Sequence, residues 1–184
     1  MGDEAGRGNG AETLKIRRAT AADAAALSSI SRETFAETFA HLYAPEDLAH
    51  HLDFSYAADK YVDALEEQGC AAWLLEDEAG NVQGYTFVGP CGLPHDEVQA
   101  GDLELKRLYL RGPLQNAGWG ARLFDDAMQW MGANGPAAVW VGVWSENDGA
   151  QRFYARRGFR KVGEYLYGVG EARDLEFILR LDIG

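Results

Sequence analysis

The sequence predicts a single domain with a mixed α/β sheet, and three observations support this prediction. The chain has 184 residues, about the length of one domain, and 47% of them are hydrophobic, which is enough to fill a sizeable core. Strand-like and helix-like patterns follow one another along the chain. Residues 1–12 are rich in Gly and lack periodicity, so we expect a disordered tail before one domain at 13–184.

The first part of the chain predicts one strand followed by helices. Residues 13–19 alternate apolar and basic side chains, as a strand does. Thr20 and Asp23 resemble a capping box at the start of the first helix. The apolar stripe of that helix consists of Ala24, Leu27, Ile30, Phe35 and Phe39. Pro45 suits the first turn of a second helix, and residues 59–68 predict a third.

The second part of the chain predicts the remaining six strands. Two apolar runs, residues 70–76 and 82–88, are joined by a turn that contains Gly80 and predict an antiparallel hairpin. The later predicted strands are residues 103–110, 138–144, 159–167 and 174–181, and the predicted helices between them are residues 118–132 and 147–157. The result is a sheet of about seven strands flanked by helices.

The distribution of charge predicts two different binding environments. The net charge is −12, which argues against nucleic acid as the main partner, because phosphate binding needs clustered Lys and Arg. Residues 106–161 nevertheless contain nine basic side chains against four acidic ones, whereas residues 33–67 contain nine acidic side chains against Lys60 alone. The first window is typical of an anion site and the second of a cation site.

Localisation and metal binding can also be predicted. The longest apolar runs fall short of the roughly 18 residues that a membrane-spanning helix needs. The N-terminus shows no signal-peptide pattern. We therefore expect a cytoplasmic protein with no membrane partner. Cys70 and Cys91 have no neighbours at metal-ligand spacing, so we expect no metal site.

A strand, a glycine-containing turn and a helix follow one another between residues 103 and 132. Such a junction forms an anion site, because unpaired backbone N–H groups and the helix dipole converge there. Gly118 and Gly120 would let a phosphate approach the backbone closely. A Walker loop is disfavoured because no Gly-Lys-Ser/Thr string occurs. A Rossmann loop is disfavoured because the turn follows the fourth strand and only these two glycines fit.

Two motifs resemble those of the GNAT superfamily of N-acetyltransferases. Residues 115–120, which follow the strand at 103–110, resemble its acetyl-CoA-binding motif, Arg/Gln-x-x-Gly-x-Gly/Ala. Residues 147–159 resemble its second signature, Asn-x-x-Ala-x-x-Phe-Tyr-x-x-x-Gly-Phe. The two motifs stand in the right order, separated by one helix and one strand, so together they are far more specific than either alone. The resemblance implies a GNAT fold, with a mostly antiparallel sheet splayed between strands 4 and 5, and acetyl-CoA as co-substrate.

The resemblance also implies roles for individual residues. Pantetheine amides would attach along residues 108–110, and the amides of residues 115–120 would hold the pyrophosphate. Asn147 would reach the pantetheine arm or order the loop, and it also suits a helix N-cap. The implied cofactor-binding residues are therefore Leu108, Tyr109, Leu110, Gln115, Asn116, Ala117, Gly118, Trp119, Gly120 and Asn147. Tyr154 matches the usual general acid of the family, and the Leu110 N–H matches its oxyanion donor.

The sequence does not decide which residue is the general base. Glu104, on the fourth strand, is the first candidate by resemblance and would act through water; a surface carboxylate paired with Lys or Arg is an equal alternative. Tyr109, Glu33 and Glu37 are further candidates. Three histidines in the acidic window are expected to face solvent. These are His41, His50 and His51.

The acceptor is predicted only as a class. Residues 32–39, 107–110 and 141–147 resemble the bacterial spermidine/spermine acetyltransferase branch, which makes a polyamine, acetylated by direct attack in a ternary complex, the first hypothesis. The acidic window would form one wall of the acceptor site, either to recognise a cation or only as a solvated face. A protein N-terminal or lysine acetyltransferase is a second hypothesis, and a non-catalytic acyl-CoA-binding regulatory protein is a third. A homodimer is compatible with all three.

Overall fold

The computed structural model describes residues 13–184, and the tail predicted at residues 1–12 lies outside the described residues. Seven strands form one sheet in the order β1-β2-β3-β4-β5-β7-β6. The strands are β1 Lys15–Arg18, β2 Ala71–Glu76, β3 Val82–Pro90, β4 Leu103–Leu110, β5 Ala138–Trp144, β6 Arg160–Val169 and β7 Ala172–Asp182. The helices are α1 Ala24–Phe39, α2 Pro45–Ser55, α3 Ala58–Glu66, α4 Trp119–Ala133 and α5 Asp148–Ala155. The predicted fold class and strand number are confirmed.

The predicted start of the helical segment is also confirmed. The Thr20 backbone N–H donates to Asp23 Oδ2 over 2.8 Å, and a short 3-10 turn leads directly into α1. Every member of the predicted apolar stripe of α1 is buried. Pro45 occupies the first turn of α2, where its missing N–H costs nothing.

Strands β6 and β7 are longer than predicted, and they form a hairpin that continues to Val169 and Ala172. The sequence around Gly168 and Gly170 has the composition of a loop, but the ladder pairs Gly168 with Arg173 before the chain turns. Gly170 makes the turn at φ +54°, a conformation that favours glycine. Cross-strand pairing therefore overrides local composition at this end of the sheet.

The sheet opens between β4 and β5, which are its only parallel neighbours within the described chain. These strands pair at Leu103↔Val139 and Glu104↔Trp140 and then separate. Asp102 holds the closed end: its buried carboxylate accepts from the Ala138 N–H over 3.0 Å and from Trp140 Nε1 over 2.8 Å. The predicted splay between strands 4 and 5 is confirmed.

Helices cover both faces of the sheet, and the splay between β4 and β5 lies between these two layers. Helices α4 and α5 pack on one face, around Leu105, Leu123 and Val139. Helices α1 and α3 pack on the other face, around Leu27 and Tyr85. Within residues 13–184, no helix combines the length and apolar character needed to cross a bilayer.

Candidate active site

The loop that precedes α4 presents a row of free backbone donors. Asn116 and Gly118 both have positive φ, at 63° and 87°, and the chain enters α4 at Trp119. Among the backbone hydrogen bonds of the described chain, none is donated by residues 116–120. Alternating conformations of this kind turn successive N–H groups towards one point, where the helix N-terminus adds positive potential. The predicted anion site therefore has backbone N–H groups that are free to donate, and the binding of a pyrophosphate there stays a prediction.

The backbone beside the splay is also available to a ligand. Beyond Glu104, residues 105–110 of β4 have no strand partner on the β5 side. A cavity of about 90 Å³, here called the cleft cavity, occupies the opening. Leu108, Tyr109, Asn147 and Tyr154 line it, whereas Leu110 does not. An extended amide chain could add to the free edge of β4 as a further strand would.

A bulge in β4 determines which of its side chains face the site. Phe87 pairs with Arg107 and Val88 pairs with Leu105, so Lys106 is left without a partner on β3. The extra residue shifts the alternation of the strand. Tyr109 consequently packs towards α1, whereas the leucines before and after the bulge pack towards α4. The sequence contained no clear signal for this bulge.

A second and larger cavity, of about 260 Å³, adjoins the first and is here called the aromatic cavity. Its aromatic lining consists of Phe35, Phe39, Tyr43, Tyr56, Tyr109, Trp144, Tyr165 and Tyr167. Its charged lining consists of Glu104, Lys106, Arg107, Asp174 and Glu176. A cavity rich in aromatic rings and carboxylates suits an organic cation, because ring faces and carboxylates both attract positive charge.

The acidic window contributes to this cavity in a way that the sequence did not predict. Residues 33–67 do form one wall, but they contribute the four rings at positions 35, 39, 43 and 56. None of the nine acids counted in that window lines either cavity. Glu33 pairs with Arg111 over 2.5 Å, and Glu37 is exposed. The acids of the cavity come instead from β4 and β7.

One of the three histidine predictions is wrong. His41 and His50 face solvent as predicted, but His51 is buried and only 9% exposed. Helix α2 turns His51 towards the sheet, where its ring lies 4.8 Å from Phe35 and 5.8 Å from Tyr167. Burial, followed by the charge of Arg107, lowers the pKa of His51 and favours the neutral imidazole. The residue supports the aromatic wall of the cavity.

Glu104 lines the aromatic cavity, but its carboxylate is already engaged. Lys106 Nζ lies 2.9 Å from Glu104 Oε2, and the Gly92 backbone N–H donates to the same oxygen over 3.0 Å. One carboxylate oxygen of Glu104 is therefore already occupied by two donors. Glu104 thus lines the cavity, as a general base would have to, and is also paired with Lys106, as the predicted alternative requires.

Two carboxylates on β7 were not singled out in the sequence. Asp174 and Glu176 are half-buried, and within residues 13–184 neither forms an ion pair with Lys, Arg or His. Each accepts a hydrogen bond from a tyrosine: Tyr43 donates to Asp174, and Tyr165 donates to Glu176. Glu176 lines both cavities. The sequence pattern that predicts a strand does not show which of its charged side chains face a cavity and which face solvent.

Tyr154 lies at the cleft cavity, and its role as general acid stays a prediction. It is the penultimate residue of α5; its ring packs against Phe124 and Phe159, and the residue lines the cleft cavity. Within the described chain, no protein group bonds its hydroxyl. Burial raises the pKa of Tyr154 above its ordinary value, so the phenol is protonated at neutral pH and can donate a proton. Burial also raises the pKa of Tyr109, which argues against Tyr109 as a base.

Asn147 caps α5, since its side-chain Oδ1 accepts from the Ala150 backbone N–H over 2.9 Å. This confirms the N-cap that the sequence gave as the second possible role of Asn147. The residue also lines the cleft cavity. The cap therefore fixes the start of the helix that carries Tyr154, and the predicted contact of Asn147 with pantetheine stays a prediction.

The fold and the site together define an acyltransferase with a strand-to-helix anion loop, and comparison with known proteins agrees. A model of the acetyltransferase (GNAT) family matches residues 26–159. An uncharacterised N-acetyltransferase from the pepI 3′ region of Lactobacillus delbrueckii subsp. lactis is 33% identical over 167 residues, which cover 91% of this chain and 96% of that protein. An uncharacterised N-acetyltransferase of Mycobacterium tuberculosis is 27% identical over 157 residues, covering 85% and 96% respectively.

Solved structures show the same fold. The PaiA N-acetyltransferase of Thermoplasma acidophilum, in complex with coenzyme A, aligns with a TM-score of 0.73 at 20% identity and covers 92% of this chain and 99% of that one. The putative acetyltransferase yncA of Salmonella typhimurium, with acetyl-CoA, aligns with a TM-score of 0.68 at 22% identity over 94% and 95%. The chain therefore belongs to the GNAT family of acetyltransferases, and the predicted assignment as an acetyl-CoA-dependent acyltransferase is confirmed.

Replacement of Gly120 by Leu is expected to weaken acetyl-CoA binding by about tenfold or more, because a side chain would fill the approach to the free amides. The described part of the chain leaves room there, since a Cβ would meet Leu110 Cδ1 at 3.6 Å and no other described atom within 4 Å. Gly132→Leu, near the other end of α4, is the matched control, because a Cβ at that position has no described neighbour within 4 Å. Calorimetric titration with acetyl-CoA measures both; equal affinity in the two variants would contradict the assignment.

Proposed function

We propose that the protein transfers the acetyl group of acetyl-CoA to a primary amine of a small cationic acceptor, by direct attack within a ternary complex. One observation carries the proposal: the cleft cavity and the aromatic cavity share a boundary at the splay. The first adjoins the predicted cofactor residues, and the second holds rings and carboxylates. Two ligands placed in these cavities would meet without a covalent enzyme intermediate.

The binding of acetyl-CoA can be assigned to named residues of this chain. Free amides of residues 116–120 would bind the pyrophosphate, the open edge of β4 would bind pantetheine, and acetyl-CoA would supply an activated acetyl group. Tyr154 would donate its phenolic proton to the departing sulfur. The Leu110 N–H was predicted as the oxyanion donor, but Leu110 does not line the cleft cavity. Leu108 and Tyr109 do line it, so a backbone N–H at that point of β4 is a second candidate for the role.

The acceptor side favours an amine of small size. A volume of about 260 Å³ lies just below the range for small-molecule sites, roughly 300–1,000 Å³. Asp174 and Glu176 are free of ion pairs within the described chain and can attract ammonium groups, and the surrounding rings can pack on methylene groups. A polyamine fits these features and stays the first candidate. The resemblance to the spermidine/spermine branch is retained as a prediction.

An acceptor panel tests the proposal. Thiol release from acetyl-CoA is measured with spermidine, an aminoglycoside, free amino acids and a lysine-containing peptide, and mass spectrometry identifies the acetylated product. We expect the fastest release with spermidine or another small cationic amine. Release with the peptide alone would favour a protein acetyltransferase. Tight acetyl-CoA binding without any release would contradict the enzyme assignment.

A further inference from the structure

Glu176 occupies the boundary at which cofactor and acceptor would meet. It lines both the cleft cavity, which Tyr154 also lines, and the aromatic cavity. On β7 it pairs with Trp144 of β5 on one side and with Tyr165 of β6 on the other. It therefore lies beside the opened part of β5, where a reacting amine would have to be placed.

Gly142 provides the space that the Glu176 carboxylate occupies. A Cβ at this position would lie 3.0 Å from Glu176 Oε2 and 3.1 Å from Tyr165 Oη. Both distances are shorter than ordinary van der Waals contact, so a side chain would displace the pair. A glycine inside a strand commonly marks a close approach of this kind. The carboxylate is thus seated directly over the backbone of β5.

The bonding of Glu176 differs from that of Glu104. Tyr165 Oη donates to Glu176 Oε2 over 2.5 Å, and within residues 13–184 no cationic side chain pairs with the carboxylate. Glu104, by contrast, has Lys106 at 2.9 Å. Of the two carboxylates, Glu176 is therefore the one that no cationic side chain of residues 13–184 already occupies, which leaves it available to a bound amine.

The surroundings of Glu176 support the same role. Burial raises the pKa of Glu176, the carboxylates of Asp174 and Glu104 raise it further, and the hydrogen bond from Tyr165 opposes the shift. A pKa raised towards neutrality suits a general base. The other charged or titratable groups around the aromatic cavity are Lys106, Arg107 and Tyr109 on β4, Tyr167 on β6, and Tyr43, Tyr56 and His51 on the helical wall.

We propose that Glu176 holds the acceptor's amino group at the splay and receives the proton that this group loses during transfer. The inference rests on the proposed function. The bound ammonium group first loses one proton to solvent, so that the neutral amine nitrogen can form a bond to the acetyl carbonyl carbon while the carbon–sulfur bond breaks. The nitrogen's proton passes to Glu176, and the phenolic proton of Tyr154 passes to the sulfur. A proton returned from Glu176 to Tyr154 through solvent restores both groups.

The test is the pH dependence of kcat/KM in four proteins: wild type, Glu176→Gln, Glu104→Gln and Glu164→Gln. The amine is the one that the wild type acetylates fastest in the panel. Glu164 is an exposed residue of β6 paired with Lys161 and serves as the matched surface control. The base must be ionised, so wild-type kcat/KM should fall as pH falls through the raised pKa of Glu176. Circular dichroism confirms that each variant is folded.

We expect Glu176→Gln to lose at least about 10²-fold in kcat/KM and to lose the acid limb of the profile, because a positioned base contributes about 10²–10⁴-fold. Glu104→Gln should keep the limb, and Glu164→Gln should match the wild type. Calorimetry gives a second readout: spermidine should bind Glu176→Gln about tenfold more weakly. If Glu176→Gln retained both the wild-type kcat/KM and the acid limb of the pH profile, the role of Glu176 would be overturned and the proposed function would stand. A wild type inactive with every amine would overturn the proposed function as well.

Discussion

Replacement of Tyr154 by Phe is expected to lower kcat by about 10²–10⁴-fold, the range for loss of a positioned general acid. The ring is retained, so its packing on Phe124 and Phe159 should persist and acetyl-CoA affinity should change little. A loss in kcat at unchanged affinity identifies an interaction made in the transition state. Steady-state kinetics and calorimetry measure the two quantities.

The control for this variant is Tyr85→Phe. The Tyr85 side chain is fully buried and lines neither cavity, and its hydroxyl finds no hydrogen-bond partner among residues 13–184. Removal of that hydroxyl should leave turnover unchanged, because no bond is lost and burial of an unpaired polar group is relieved. Equal turnover of Tyr154→Phe and wild type would remove Tyr154 from the chemistry and leave it a packing role only.

Replacement of Asp102 by Ala is expected to lower the free energy of unfolding by about 2–4 kcal/mol, because buried donors lose a charged acceptor. Those donors are the Ala138 N–H and Trp140 Nε1–H, and the Gln99 N–H donates to the same carboxylate over 3.1 Å. For a chain of this size the loss corresponds to a fall in Tm of about 5–15 °C. Thermal unfolding followed by circular dichroism measures it.

The matched control for Asp102 is Asp125→Ala on the exposed side of α4. A surface carboxylate removed from the same protein should change stability by less than about 0.5 kcal/mol. Asp102→Asn keeps one acceptor oxygen and should lie between the two. If Asp102→Ala were as stable as Asp125→Ala, the closed end of the splay would not depend on this carboxylate.

Local patterns were sufficient for most of the fold. Alternation at Leu14 and Ile16, the helical stripe of α1 and the capping box at Thr20 are short-range features, and the structure confirms the elements that they predicted. The site loop was also predictable, because a strand, a glycine turn and a helix adjoin one another in sequence. The ends of β6 and β7 were not, because cross-strand pairing decides them.

The surroundings of Glu176 in the aromatic cavity could not be predicted either, because they too depend on the pairing of distant strands. The Glu176 carboxylate acquires its surroundings from Gly142 on β5 and Tyr165 on β6, which come together only when the sheet forms. Composition at residues 33–67 did not locate the acids of the cavity, since the nine acids counted there line neither cavity, in keeping with the predicted alternative of a solvated face. One signal was present: Gly142 interrupts an otherwise apolar strand, and such a glycine often marks a close approach.

The ternary complex at the splay is tested most directly by initial rates of thiol release, measured across a grid of acetyl-CoA and amine concentrations. Direct attack requires both ligands to be bound at once, so double-reciprocal plots should intersect and the product should be the N-acetylated amine. Parallel plots, or thiol release that does not depend on the amine, would contradict a shared boundary between the cleft cavity and the aromatic cavity as the place of transfer.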